Sequence, residues 1–154
     1  MTRPPARSAE QRKKDTLDRL ERDEDVWVAT AGEEGGAPYL VPLSFRWDGS
    51  TLLLATPAAS PTGRNLVATG TARLAVGPTR DVVMIEGEVR AVAPEELPVE
   101  EGDRFAAKCG FDPRRLATRY LYFRVTPRRI QAWREADEIA GRELMGDGKW
   151  LVAD

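Results

Sequence analysis

Between Val26 and Thr56 apolar residues recur at every second position or in short unbroken runs. VWVATA (26–31), YLVPLSFRW (39–47) and TLLLAT (51–56) are rich in β-branched, aromatic and aliphatic side chains, and EEGGA and DGS separate them. Such runs predict strands joined by turns, with Asp48-Gly49 a strong hairpin signal. In the second run Tyr39, Val41, Leu43, Phe45 and Trp47 share one face, expected to be core. Leu40, Pro42, Ser44 and Arg46 share the other, mixed face. Pro42 cannot donate to a ladder, so it marks an edge, a bulge or a place where something other than a strand lies alongside. The strand pattern resumes in TARLAVG (71–77) and in the long alternating DVVMIEGEVRAV (81–92), where Gly87 is expected at a bulge or close approach. YLYFRVTP (120–127) and RIQAWR (129–134) read as two further strands before a turn-rich tail ending GDGKWLVAD.

Helical signals lie between these runs. Residues 1–8, with two prolines and two arginines, read as a flexible tail. Ser8 with Gln11 forms a capping box for a helix reaching about Glu24. Its only large apolar residues are Leu17 and Leu20, and its charges of both signs interleave, so it is expected as a solvated surface helix. Ser60 as cap, Pro61 at the first helical position and Gly70 as terminator describe a helix of about two turns. Residues 94–103 read as an acidic connection leading to a small helix with Phe105 and Cys109 on one side and Gly110 as its stop.

Six or seven short strands with small helical interruptions predict a mainly β fold, a closed or nearly closed antiparallel barrel. At 154 residues such a barrel has little interior room, so a sizeable ligand is expected outside it or between two copies. Residues 9–154 are expected as a single domain.

Composition narrows the chemistry. Hydrophobic residues make up 42% and charged residues 31%, a globular balance, and the formal net charge of −2 is not that of a nucleic-acid-coating polycation. No stretch has the apolar length of a secretory signal or membrane span, and the single cysteine fits a reducing compartment, so a cytoplasmic protein without membrane attachment is expected. Histidine is absent, which excludes Ser-His-Asp and Cys-His nucleophile systems and paired-histidine zinc sites. Hydrolysis is therefore disfavoured.

The most chemical stretch is Ser60-Pro61-Thr62-Gly63-Arg64-Asn65. Unpaired N–H groups at a helix start, two hydroxyls, a glycine permitting close approach and a guanidinium together suit a phosphomonoester. An ordinary capped helix with an exposed arginine explains the same residues. From Arg114 to Arg134 seven arginines interleave with Tyr120, Tyr122, Phe123 and Trp133. They suit single-stranded nucleic acid or a phosphorylated aromatic cofactor, or else pair with the acidic segment at 95–103. Trp133-Arg134 is a candidate grip for a planar ring. Glu86 and Glu88 share a strand face and suit acid–base work or simple exposure. Cys109, with no base beside it, reads as a packed thiol.

WVATA, PYLVPLSFRWDG, LLLATP, SPTGRNL and RDVVMIEGEV, with weaker agreement at YFRVTPRRIQAW, resemble the FMN-binding split-barrel superfamily of pyridoxamine 5′-phosphate oxidase-like proteins. The resemblance implies a six-stranded Greek-key split barrel that forms a homodimer with one flavin in each of two interface clefts. It implies that Val41, Pro42, Leu43 and Ser44 border the isoalloxazine. Thr56, Ser60, Thr62, Gly63, Arg64 and Asn65 would surround the ribityl phosphate, and Trp133 with Arg134 would approach the ring from the partner chain. Family members usually carry Lys or Arg just after the serine matching Ser60; here Pro61 and Thr62 stand there, and the phosphate grip falls on Arg64 and the helix end. The implied activity is FMN-dependent hydride transfer through flavin N5 with a small substrate. One alternative is a reductase using the deazaflavin coenzyme F420 on the same fold. Another is a non-catalytic module that binds flavin or another anionic ligand, haem being disfavoured without histidine.

Overall fold

A computed structural model describes residues 4–154; the first three residues of the expected N-terminal tail lie outside the described residues. The elements run α1 (Ala9–Arg22), β1 (Asp25–Gly32), β2 (Gly35–Trp47), β3 (Leu52–Pro57), α2 (Pro61–Thr69), β4 (Thr71–Val76), β5 (Asp81–Val92), α3 (Val99–Cys109), β6 (Tyr120–Arg134), β7 (Glu143–Gly146) and β8 (Lys149–Trp150). All pairings are antiparallel. β3 pairs with both β2 and β6, so β1–β6 close a six-stranded barrel in the order β1-β2-β3-β6-β5-β4, and β7 and β8 extend from β6. This is the expected Greek-key barrel.

Two buried layers hold it. Inside lie Val28, Phe45, Leu52, Leu54, Leu74, Ile85, Phe123, Val125 and Ile130, joined by Leu20 of α1 and Leu66 of α2. Outside the β3–β6 wall, Leu53, Ala55, Val92 and Tyr122 pack against Phe105 of α3 and Leu97. β3 is therefore buried on both faces, which is why its sequence is an unbroken apolar run rather than an alternation.

Several expectations are corrected. YLYFRVTP and RIQAWR form one strand, because Arg128 is accommodated as an extra residue: Glu86 opposes Arg129 while Gly87 opposes Pro127. Gly87 is needed there, since a Cβ on it would lie 2.5 Å from Val125 Cγ1. The turn-rich tail supplies the β7–β8 hairpin. The acidic connection is helical from Val99, with Glu100 and Glu101 in the first turn, where the helix dipole favours them. The core face of β2 is fully buried at Phe45 and Trp47, and Val41 and Leu43 pack against the core while only partly buried; Tyr39 is 40% exposed, because here β2 has a strand on one side alone.

The surface helix α1 is also docked through charge. Arg12 is buried and donates to the carbonyls of Ala132 (3.1 Å), Glu138 (3.1 Å) and Gly141 (3.0 Å). Lys13 is buried and donates to Val152 O and Asp154 Oδ1. Long side chains bury their methylene stems here and spend their charged heads on carbonyl oxygens. The tail is anchored at Arg7, whose guanidinium and backbone N–H both donate to the fully buried Glu138. No helix is long and apolar enough to cross a membrane among the described residues.

Arg7 and the backbone N–H of Arg134 overcome the burial of the Glu138 carboxyl and hold its pKa down to about 2. A lowered folded-state value means stability that is fully present above the ordinary glutamate range near 4.5 and is lost as pH falls toward 2. Thermal melts from pH 6 downward are expected to show a steep loss across that interval. Glu138→Gln should lower stability at pH 6 by about 3–5 kcal/mol, as when one partner of a buried pair is removed, and should flatten the acid limb.

Candidate functional site

β1 pairs with β2 as far as Ser44, whereas β3 pairs with β2 only over Phe45–Trp47. Beyond Leu54, β3 follows β6 instead. The segment Tyr39–Ser44 thus has an edge without a strand neighbour. Pro42, opposite Trp27, has no N–H and belongs at a non-hydrogen-bonded position. By alternation Val41 and Leu43 turn their peptide groups toward β1, while Leu40, Pro42 and Ser44 turn theirs to the open side. The edge expected from Pro42 is there, and it carries the predicted quartet Val41, Pro42, Leu43 and Ser44.

Thr56, at the end of β3, is buried and lies 3.4 Å, oxygen to oxygen, from Ser60. The predicted cap of α2 forms as expected: Ser60 Oγ accepts from the Gly63 N–H at 3.0 Å and donates to Pro57 O at 2.8 Å. Pro61 has no N–H, so Thr62, 2% exposed, supplies the remaining uncapped donor of this turn. Gly63 also has a packing role of its own. A Cβ on it would sit 2.5 Å from Pro57 O and 3.0 Å from Ala58 O, so the glycine seats α2 on its own entry turn. Asn65 Nδ2 donates to Thr30 Oγ1 at 3.2 Å and ties α2 to β1. Thr30 is a partner the sequence reading did not single out.

Arg64 is exposed, and its side chain makes no hydrogen bond or ion pair among the described residues. The arginines of 114–134 differ in this respect, because every one meets a carboxylate. Arg114 is shared by Asp103 and Asp112, Arg115 meets Asp112, and Arg119 meets Glu95. Arg124 lies between Asp48 and Glu101, Arg128 meets Glu88, Arg129 meets Glu86 and Glu143, and Arg134 meets Glu138. The basic strand is neutralised in place. Glu86, also bound by Arg73, and Glu88 are likewise engaged. Burial pushes the Cys109 thiol up to about 11, consistent with a packed, unreactive cysteine.

Trp133 and Arg134 lie at the far end of β6 from its pairing with β3, opposite Val82 and Asp81. Within one chain they do not join the Ser60 cluster. The Trp133 ring faces Arg142, 5.7 Å away, rather than Arg134. On the outer face of β1 and β2, Trp27 (48% exposed) and Leu40 (59% exposed) stand beside Pro42 and Ala75. A cavity of about 480 Å³ adjoins them, with Ala29, Ala31 and Pro38 in its wall and Arg73, Glu86, Glu88 and Arg128 around it. Trp27 escaped the sequence reading, although the alternation of VWVATA places it opposite the buried Val26 and Val28.

The family model described as pyridoxamine 5′-phosphate oxidase matches residues 13–134. No curated protein matches the chain. Among solved structures, an F420 reductase is 20% identical over 73% of this chain and 93% of its own, with a TM-score of 0.58. The General Stress Protein 26 from Bacillus anthracis is 15% identical over 80% of this chain and 94% of its own, TM-score 0.56. HutZ, the heme storage protein from Vibrio cholerae, is 12% identical over 89% and 98%, TM-score 0.61. At these identities the likeness is one of fold.

Two neighbouring substitutions separate architecture from ligand contact at α2. Gly63→Ala is expected to cost about 1–3 kcal/mol in denaturant unfolding, as overpacking does. Arg64→Ala, at an exposed and unpaired side chain, should stay within about 0.5 kcal/mol.

Proposed function

The chain belongs to the pyridoxamine 5′-phosphate oxidase family, and from that premise we propose that it is a cytoplasmic, homodimeric, FMN-dependent oxidoreductase acting on a small substrate. The observation that carries this reading is the unpaired Arg64 side chain on the first turn of α2, a helix that Asn65 ties to Thr30 opposite Tyr39 of the open-edged strand, in a chain whose other site-like arginines are already ion-paired. A planar ring with several heteroatoms needs peptide groups that no ladder has consumed, and Leu40, Pro42 and Ser44 offer them. A phosphate needs a cation that is not neutralised, and Arg64 offers that.

The residues fit FMN with one restriction. Because Ser60 Oγ and the Gly63 N–H satisfy each other, a phosphate here would rest on Arg64 and the Thr62 side of the helix start. When bound, the flavin supplies hydride transfer at N5. The chain's part is to hold and orient the ring along the Val41–Ser44 edge, to bind the phosphate at Arg64, and to shield the cleft with a second copy. The exposed Trp27–Leu40–Pro42 surface supplies an apolar face for that copy, and Trp133 with Arg134 would reach the cleft only from it.

The same restriction supports a second reading, coenzyme F420, whose longer phosphodiester tail would depend less on a tight monoester cradle; the F420 reductase among the structural neighbours favours it. Haem is a poorer candidate despite the fold shared with HutZ, since the chain has no histidine.

Titration of the purified protein with FMN, followed by flavin fluorescence and by melting temperature, tests the proposal. FMN should bind and raise the melting temperature, and Arg64→Ala should weaken binding by about 1–3 kcal/mol, the usual worth of a charge-assisted hydrogen bond. Binding of F420 without FMN would move the conclusion to the second reading; binding of either without any turnover would make the protein a carrier. Sedimentation should show a dimer that Trp27→Glu converts to monomer, and a monomeric wild type would remove the shared cleft.

A further inference from the structure

The end of β6 is a strained corner. Glu135, directly after the strand, has φ +57° and ψ 172°, backbone space that favours glycine. It leads into the short 3₁₀ turn Ala136–Glu138. Glu138 turns its carboxylate back into the protein, fully buried, and accepts the Arg134 N–H at 2.7 Å. That bond closes the corner.

Its other donors come from far away in the chain. Arg7 reaches Glu138 with its backbone N–H at 2.8 Å, Nε at 3.0 Å and Nη2 at 2.7 Å. The same guanidinium bonds Asp15 (3.0 Å) on α1 and Asp81 (3.1 Å) at the start of β5. Arg134 Nη2 donates to Pro5 O at 3.1 Å, so the segment before α1 is fastened to the corner from both directions. Arg12 approaches the carboxylate at 3.6 Å, but its Nε is buried without a hydrogen-bond partner. Arg12 therefore does not replace Arg7. Withdrawing Arg7 would leave a buried carboxylate short of donors beneath a backbone that prefers to relax.

We propose that the N-terminal segment is a releasable strap in which Arg7 is the positioning residue for the Glu135 corner and, through it, for Trp133. Pro4, Pro5 and Ala6 are exposed, so the strap is open to cleavage or capture while its anchoring side chain is buried. Docked, it fixes Trp133 between its β5 neighbour and Arg142. Released, it lets the end of β6 loosen while the barrel stays closed by the β3–β6 pairing. The effect on cofactor binding rests on the flavin reading; the conformational effect does not.

Hydrogen exchange on the full chain tests both parts. Arg7→Ala should speed exchange across residues 131–142 by roughly tenfold or more beyond whatever rise residues 52–57 and 83–92 share from breaking the buried pair, the signature of local opening added to a global loss. Arg7→Lys, which keeps the charge and loses the planar fork, should give a smaller rise in the same segment. In a Glu135→Gly background, where the corner is unstrained, the Arg7→Ala effect should shrink. A uniform rise throughout the barrel, or none at residues 131–142, would overturn the strap. If the wild type binds FMN, Arg7→Ala should weaken that binding; local loosening with unchanged FMN affinity would overturn the link to Trp133. If the wild type binds no FMN, the flavin reading fails and the exchange result still decides the strap.

Discussion

Everything distinctive in this molecule follows from what β3 does at Leu54. A strand has two edges. Over Leu52–Leu54, β3 gives one to β2 and the other to β6, and this double pairing closes the barrel. From Ala55 onward it keeps only β6, and β2 departs along β1. Closing the cylinder and opening a strand edge are thus the same event. In water-soluble folds a free edge is a hazard unless it is covered or used, and here Pro42 blunts it while leaving carbonyl and N–H groups on either side.

Electrostatics then decides which parts of the surface remain available. The chain is rich in both charge signs, and folding brings every arginine from 114 to 134 to a carboxylate, among them those of Glu95, α3, β5, β7 and the Asp112 turn. A basic stretch in sequence becomes a neutral lattice in space. Arg64, on the first turn of a helix whose cap is already complete, keeps a side chain without a partner among the described residues. On the proposed reading, that is where a phosphate would meet uncompensated charge.

Much of this was legible in the sequence. The period-two runs gave the barrel strands, Ser60, Pro61 and Gly70 gave both ends of α2, and Gly87 marked the bulge. What the sequence concealed was of two kinds. Continuity across a bulge is invisible when the extra residue, Arg128, follows a proline, so β6 read as two strands. Burial of charge is invisible as well, since Arg7, Arg12 and Lys13 look solvated until distant partners appear 120 or more positions downstream, as Glu138 O and Oε, Ala132 O and Val152 O. Gly63 is the subtler case. A glycine beside a capping serine suggests an anion cradle, and only coordinates show carbonyl oxygens where its Cβ would go.

The fold by itself does not choose a chemistry. The same barrel serves an F420 reductase and a heme storage protein, so function must be argued from which groups this chain leaves unspent. Without histidine it has little to offer a metal centre or a proton relay, and the acids that share a strand face are held by arginines. What stays unspent is a row of peptide groups on one strand edge and a guanidinium at a helix start. Those are tools for holding and orienting. They suit a site whose reactivity is brought by the ligand, with the protein setting its position and its exposure to water.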